Sequence, residues 1–138
     1  MKTRLLLNSL IFFLIILFTY TAINKLIDWK NFREVLSRMP FIDNYSIFIA
    51  FAIPISELLL AVALAFSRDV KYALWGSLSL LTIFTLYIIW LINFAPHLPC
   101  SCGGVIEQLN WQQHLAFNTL LIIINLIAIR LSRKQVVN

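Results

Sequence analysis

The fold is decided by segment 46–67, which has the sequence SIFIAFAIPISELLLAVALAFS and contains one ionisable side chain, Glu57. A helix needs about 20 apolar residues to cross the hydrocarbon core of a bilayer, and this segment meets that requirement. Segments 5–23, 72–95 and 112–131 have the same apolar character and are separated by polar connectors. The sequence therefore predicts an all-α integral membrane four-helix bundle that forms a single domain over residues 1–138.

The composition requires lipid as part of the solvent. Of the 138 residues, 61% are hydrophobic and 12% are charged, against about 45–50% and 25% in an average soluble domain. The mean hydropathy is +0.87. The net charge of +5 does not indicate nucleic-acid binding, because the basic residues lie at the ends of apolar segments and form no extended patch. A lipid bilayer is thus the first predicted partner, and nucleic acid is excluded.

Segment 25–40 differs from the four spans because charged residues separate its apolar ones. The apolar residues recur every three or four positions: Leu26, Trp29, Phe32, Leu36 and Met39. This spacing predicts an amphipathic helix that ends at Pro40. The segment is too charged to cross the membrane, so we expect a surface helix between the first two spans.

The distribution of Lys and Arg predicts which ends of the bundle face the cytoplasm. With the N-terminus inside, seven basic residues lie in inner segments and four in outer segments. The positive-inside rule therefore favours both termini in the cytoplasm, and we expect the protein to lie in a bacterial inner membrane. The first span follows a basic start, as in a signal peptide, but its length and the bulky Tyr20 favour an uncleaved helix.

This orientation places Cys100 and Cys102, followed by Gly103 and Gly104, in a periplasmic loop before the fourth span. The periplasm is a compartment in which disulfides form and persist. A disulfide between positions i and i+2 needs a tight turn, closes too short a loop to stabilise the fold, and is easily reduced when strained. The pair therefore predicts thiol–disulfide redox chemistry, and the alternative is an inert or structurally oxidised pair.

No metal site is predicted at the cysteines, because two thiolates need further ligands and only His97 and His114 are near in sequence.

Glu57 and His114 are the candidate site residues that accompany the cysteines. A charge at the centre of a membrane helix costs about 2.5–3.5 kcal/mol, so Glu57 needs a partner, for which Lys25 and His114 are the candidates. We expect Glu57 to shape the site or handle protons; the alternative is a protonated residue that only ties helices together. His114 either exchanges protons with a thiol or caps its helix. Asn118 and Asn125 share its helix face and are expected to form interhelical hydrogen bonds.

Several of these features together resemble the MauE/DoxX family of redox-associated membrane proteins. They are segment 24–29 (NKLIDW) with Phe32, the Pro54 and Glu57 pair, and segment 99–104 (PCSCGG). The resemblance covers nearly the whole chain and implies a four-helix membrane bundle. It also implies that MauE members act with thioredoxin-like periplasmic proteins in disulfide formation while another protein matures. DoxX-type relatives include a subunit associated with quinone-linked sulfur oxidation.

The resemblance also assigns residues. Cys100 and Cys102 match the cysteine pair of the family, and Glu57 matches its membrane carboxyl. The chain departs from the pattern at Gly103 and Gly104, where many such motifs carry an aromatic residue after the second cysteine.

Two functions from different classes follow from the sequence. The first is a thiol–disulfide redox protein that exchanges electrons with a periplasmic thioredoxin-like partner through a mixed disulfide. Whether it is itself an oxidoreductase stays open, because one outer cysteine pair cannot relay electrons across the bilayer. Turnover needs a soluble partner on the same side or a quinone in the bundle, and quinone is the one candidate cofactor.

The second function is a non-catalytic subunit or docking factor of a larger membrane complex, with segment 25–40 as its docking surface. A solute carrier is disfavoured, since four spans are few and no inverted repeat is visible.

Overall fold

The structure, a computed structural model, describes residues 2–95 and 110–136. Within these residues the chain forms five α-helices and one 3₁₀ turn, Asp43–Tyr45. The helices are α1 (Lys2–Ile27), α2 (Trp29–Ser37), α3 (Ser46–Phe66), α4 (Val70–Phe94) and α5 (Trp111–Val136). Four of them (α1, α3, α4 and α5) are long and apolar enough to cross a membrane. The predicted all-α membrane bundle is therefore confirmed.

The four long helices pack in a ring. Helix α1 packs against α3 and α5, and α4 packs against the same two helices. The core of the ring contains Leu14, Leu74 and Ala128, which are fully buried. Large apolar side chains such as Phe12 and Ile83 point outward and are about two-thirds exposed, which suits a surface whose solvent is lipid. Because the chain crosses four times, α1 begins and α5 ends on the same side of the bundle.

The ends of two helices extend beyond the predicted spans because local groups support them. Helix α4 begins at Val70, two residues before the predicted span, since the side chain of Asp69 accepts a hydrogen bond from the Lys71 backbone N–H at 3.1 Å. Aspartate is a favoured N-cap residue for this reason. Helix α5 continues to Val136, and Arg133 in its last turn complements the partial negative charge of a helix C-terminus.

At one end of the bundle the α2–α3 connection contacts the C-terminal part of α4. We call this end the aromatic end, because it contains Phe41, Tyr87, Trp90 and Trp111. The hydroxyl of Tyr87 donates a hydrogen bond to the carbonyl oxygen of Pro40 at 3.0 Å. The ring centroids of Phe41 and Trp90 are 5.1 Å apart. Trp111, the first residue of α5, packs against the same region. Tyrosine and tryptophan concentrate at membrane–water interfaces, so this end marks one membrane boundary, where α4 ends and α5 begins.

Helix α2 is amphipathic, as predicted, and packs on α3 through its apolar face. The buried cluster comprises Phe32, Val35 and Leu36 of α2, Met39 just after the helix, and Ala50 of α3. The predicted apolar face omitted Val35 and included Leu26, which belongs to α1. The opposite face of α2 is exposed and charged. The helix is therefore anchored to the bundle by side-chain packing.

The boundary between α1 and α2 differs from the prediction. Lys25 was expected to begin the surface helix, but it lies in the last turn of α1. The helical geometry is interrupted at Asp28, between α1 and α2. The physical reason is that the Lys25 ammonium pairs with Glu57 inside the bundle, so its charge does not force α1 to end. At the other boundary α2 stops at Ser37, close to Pro40, which disfavours helical geometry in the residue before it.

Candidate functional site

Glu57 and Lys25 form an ion pair inside the bundle. The Lys25 Nζ lies 2.5 Å from Oε1 of Glu57, and the two side chains keep only 17% and 10% of their exposure. Withdrawing a charge from water costs several kcal/mol per ion, so each group depends on the other. This contact confirms the prediction that Lys25 is a partner of Glu57.

Helix α3 places Glu57 near its middle on the face that packs into the bundle. The buried residues of that face are spaced by three or four: Ala50, Pro54, Glu57, Ala61 and Leu64. Pro54 has no backbone N–H, so α3 lacks one intrahelical hydrogen bond one turn before Glu57. The small alanine side chains and the missing intrahelical hydrogen bond at Pro54 together place the Glu57 carboxylate within reach of Lys25 on α1.

The ion pair forms part of the wall of a partly open cavity of about 60 Å³ in the bundle. Its polar lining comes from Thr21, Lys25, Glu57, His114 and Asn118, and apolar residues such as Leu121 supply the rest. Two of the predicted site residues, Glu57 and His114, are therefore brought to one cavity, although they are far apart in sequence. Of the two candidate partners of Glu57, Lys25 makes the contact, and His114 lines the same cavity.

His114 is held in position by the first turn of α5. Asn110 and Gln113 form a reciprocal cap: Oδ1 of Asn110 accepts from the Gln113 backbone N–H at 2.8 Å, and Oε1 of Gln113 accepts from the Asn110 N–H at 3.0 Å. This arrangement is a capping box. The His114 ring lies between Trp111 and Phe84, at centroid distances of 6.4 Å from each. Asn110 is thus the side chain that caps the helix, and the role of His114 stays a prediction.

The two asparagines of α5 have different surroundings. Asn125 is fully buried, and its Nδ2 donates a hydrogen bond to Oγ of Ser77 on α4, which confirms its predicted interhelical bond. Asn118 lines the cavity instead and is 5% exposed. Its carboxamide makes no hydrogen bond to another described residue. Asn118 therefore belongs to the cavity, and Asn125 belongs to the packing of α4 on α5.

Sequence reasoning missed Ser77 and the capping pair at the start of α5. A signal for Ser77 was present, because the buried residues of α4 are spaced by three or four: Leu74, Ser77, Leu81, Thr85 and Ile88. A serine on such an inward stripe is a candidate partner for a buried asparagine on a neighbouring helix. The signal for the cap was Asn110 followed three positions later by Gln113.

Cys100, Cys102 and His97 lie outside the described residues. Within residues 2–95 and 110–136, no group of three or more His, Cys, Asp or Glu side chains could hold a metal ion.

The fold and the site define a class of protein: a multi-pass, four-helix membrane protein with an ion pair and further polar groups enclosed in its bundle. The chain belongs to the MauE family, because the family model described as methylamine utilisation protein MauE matches residues 3–131, nearly the whole length. The MauE resemblance found in the sequence is thereby confirmed. No curated protein and no solved structure matches the chain.

Proposed function

We propose that this protein is a membrane-embedded thiol–disulfide redox protein that supports the maturation of another protein. In the proposal Cys100 and Cys102 exchange electrons with a periplasmic thioredoxin-like partner. Membership of the MauE family over residues 3–131 carries the proposal, since the matched region includes both cysteines. For the MauE family, the protein whose maturation is supported is methylamine dehydrogenase.

The proposed reaction is a balanced exchange between a dithiol and a disulfide. A thiolate of one protein attacks the disulfide of the other, which releases one thiolate of that protein and forms a mixed disulfide. The second thiolate of the attacking protein then attacks its own sulfur in the mixed disulfide, which closes a new disulfide and releases the other protein's second thiolate. Two electrons and two protons pass between the cysteine pair and the partner, so the exchange itself consumes no additional oxidant. Repeated turnover draws on the partner pool on the same side of the membrane.

His114 is proposed to accept the proton of the attacking thiol. The support is positional: His114 lies in the first turn of α5, directly after the segment that carries the cysteines, and its ring is fixed by two aromatic neighbours. A neutral imidazole is a suitable proton acceptor near neutral pH. Glu57 is proposed to act as a positioning residue, because its ion pair with Lys25 holds α1 and α3 together beside His114.

The proposed location is the bacterial inner membrane, with both termini in the cytoplasm and the cysteine loop in the periplasm. The excess of basic residues in the inner segments supports this orientation. Four crossings are consistent with it, since they place the two termini on one side.

Thiol trapping in intact cells tests both the reaction and the orientation. A membrane-impermeant maleimide is expected to label reduced Cys100 and Cys102 from outside. The single variants Cys100→Ser and Cys102→Ser are expected to accumulate a mixed disulfide with a thioredoxin-like protein, because the resolving thiol is missing. Ser101→Ala is the matched control, since it changes the same turn and keeps both thiols. A pair that is permanently oxidised, with no partner trapped by either variant, contradicts the redox proposal.

A docking subunit is the second candidate function, and the exposed face of α2 favours it. Lys30, Arg33, Glu34 and Ser37 border an open groove of about 450 Å³ on that face. The double variant Cys100→Ser/Cys102→Ser separates the two functions. Unchanged maturation of the partner protein in this variant supports docking, whereas lost maturation with an assembled membrane complex supports redox chemistry.

A further inference from the structure

We infer that the cavity beside the Lys25–Glu57 pair is a hydration site, in which a small cluster of water molecules is bound by side chains of three helices. The inference concerns the bundle interior and does not depend on the chemistry of the cysteines. It assigns a ligand to the cavity, and that ligand supplies the hydrogen bonds that the described protein groups leave unmade.

The volume of the cavity selects the class of ligand. A bound water needs roughly 10–15 Å³ of accessible space, so a cavity of about 60 Å³ accommodates about four. The accessible volume is therefore large enough for a water cluster.

The chemistry of the lining also favours water. Asn118 is 5% exposed, lines the cavity, and offers a carboxamide that no other described residue hydrogen-bonds. Lys25 has two ammonium protons beyond the one given to Glu57. Oε2 of Glu57 is buried without a hydrogen-bond partner among the described residues, and an orphaned buried polar atom costs about 1–3 kcal/mol. Donors and acceptors thus surround one small space, as a bound water requires.

The consequence is a single hydrogen-bonded unit in the half of the bundle that contains the aromatic end. Water joins the ion pair on α1 and α3 to Asn118 and to the imidazole of His114 on α5. Apolar residues supply the remaining lining of the cavity.

Hydroxyl-radical labelling by X-ray radiolysis of the full chain in lipid nanodiscs tests the inference, with water itself as the probe. Radicals form at bound water and oxidise the side chains next to it. Phe18 and Leu121 line the cavity and are each 3% exposed. Leu7 is the matched control for Leu121, because it is the same residue type, is also 3% exposed and lies outside the cavity lining. We expect Leu121 to be oxidised severalfold faster than Leu7; equal rates would mean a dry cavity and would overturn the inference.

Two variants locate the water. Asn118→Leu removes the polar wall at similar side-chain size, and His114→Phe keeps the ring stacking while removing both ring nitrogens. In each variant the oxidation of Phe18 is expected to fall severalfold, whereas Asn125→Leu, on the same helix but outside the cavity, leaves it unchanged. If Asn118→Leu does not fold, the wild-type comparison and His114→Phe still decide the question. A folded variant with wild-type oxidation of Phe18 would show that the water lies elsewhere.

Discussion

Replacing Lys25 by Met tests whether the interior ion pair holds the bundle together. Methionine keeps the length of the side chain but removes the ammonium, so the Glu57 carboxylate loses the counter-charge it contacts at 2.5 Å. Solvent screening is small, because the Glu57 side chain is 10% exposed. Removing one partner of a buried ion pair costs about 3–5 kcal/mol. We expect the free energy of unfolding of Lys25→Met to fall by that amount.

The double variant Lys25→Met/Glu57→Met separates pairing from simple loss of contacts. Replacing both members of a buried pair by apolar residues is often neutral or stabilising, because neither charge then has to be desolvated. The double variant is therefore expected to be more stable than Lys25→Met alone, by about 2 kcal/mol or more. If the loss in the double variant equals the sum of the losses in the two single variants, the two residues do not stabilise each other, which would contradict a buried ion pair.

The assay is equilibrium unfolding of the purified protein in mixed micelles, followed by circular dichroism as the fraction of denaturing detergent rises. Glu34→Gln is the matched control, because it breaks the Arg38–Glu34 pair on α2, whose side chains are 62% and 61% exposed. That exposed pair contributes at most about 0.5 kcal/mol. A loss for Lys25→Met no larger than that of the control would refute the reasoning.

Three further substitutions probe the packing and are checked by the same unfolding assay. Ser77→Ala leaves Nδ2 of the buried Asn125 without the acceptor it contacts and is expected to cost about 0.6–1.7 kcal/mol, from the average to the maximum measured for interhelical hydrogen bonds in a membrane protein; no change would show that the bond contributes nothing. Tyr87→Phe removes the hydrogen bond to the Pro40 carbonyl and is expected to cost about 0.5–1.5 kcal/mol, and a stabilised protein would contradict that contact. Phe32→Ala, at 3% exposure, is expected to cost about 3–5 kcal/mol and to make α2 susceptible to protease; a resistant α2 would mean that other contacts anchor it.

The membrane fold could be predicted from the sequence because each span carries its own signal. Segment 46–67 is apolar and long enough to cross a bilayer whatever its neighbours do, and α3 occupies nearly the same residues. The pairing of Glu57 was also predictable in kind, since a carboxylate in the middle of a span needs a counter-charge. Lys25, at the end of the preceding span, was one of the two candidates.

The arrangement of the site could not be predicted, because it depends on how the helices are rotated and placed against one another. Hydropathy does not determine whether His114 or Lys25 reaches Glu57, and the structure gives Lys25 that contact. The sequence also treated Asn118 and Asn125 alike, since both lie on one face of α5. Only the packing shows that Asn125 meets Ser77 on α4 and that Asn118 opens onto a cavity.

The different surroundings of Asn118 and Asn125 distinguish polar groups that serve packing from polar groups that are available for chemistry in this bundle. Asn125 is fully buried and is tied to the serine of a neighbouring helix, so its removal should act through stability. Asn118 is nearly as buried but borders a cavity with the ion pair and His114. In lipid an unpaired polar group is costly, and a stability role alone would be met more simply by an apolar side chain. Asn118 and His114 are therefore the part of the polar lining that neither packing nor the ion pair explains, and the part in which substitutions should change function while the fold persists.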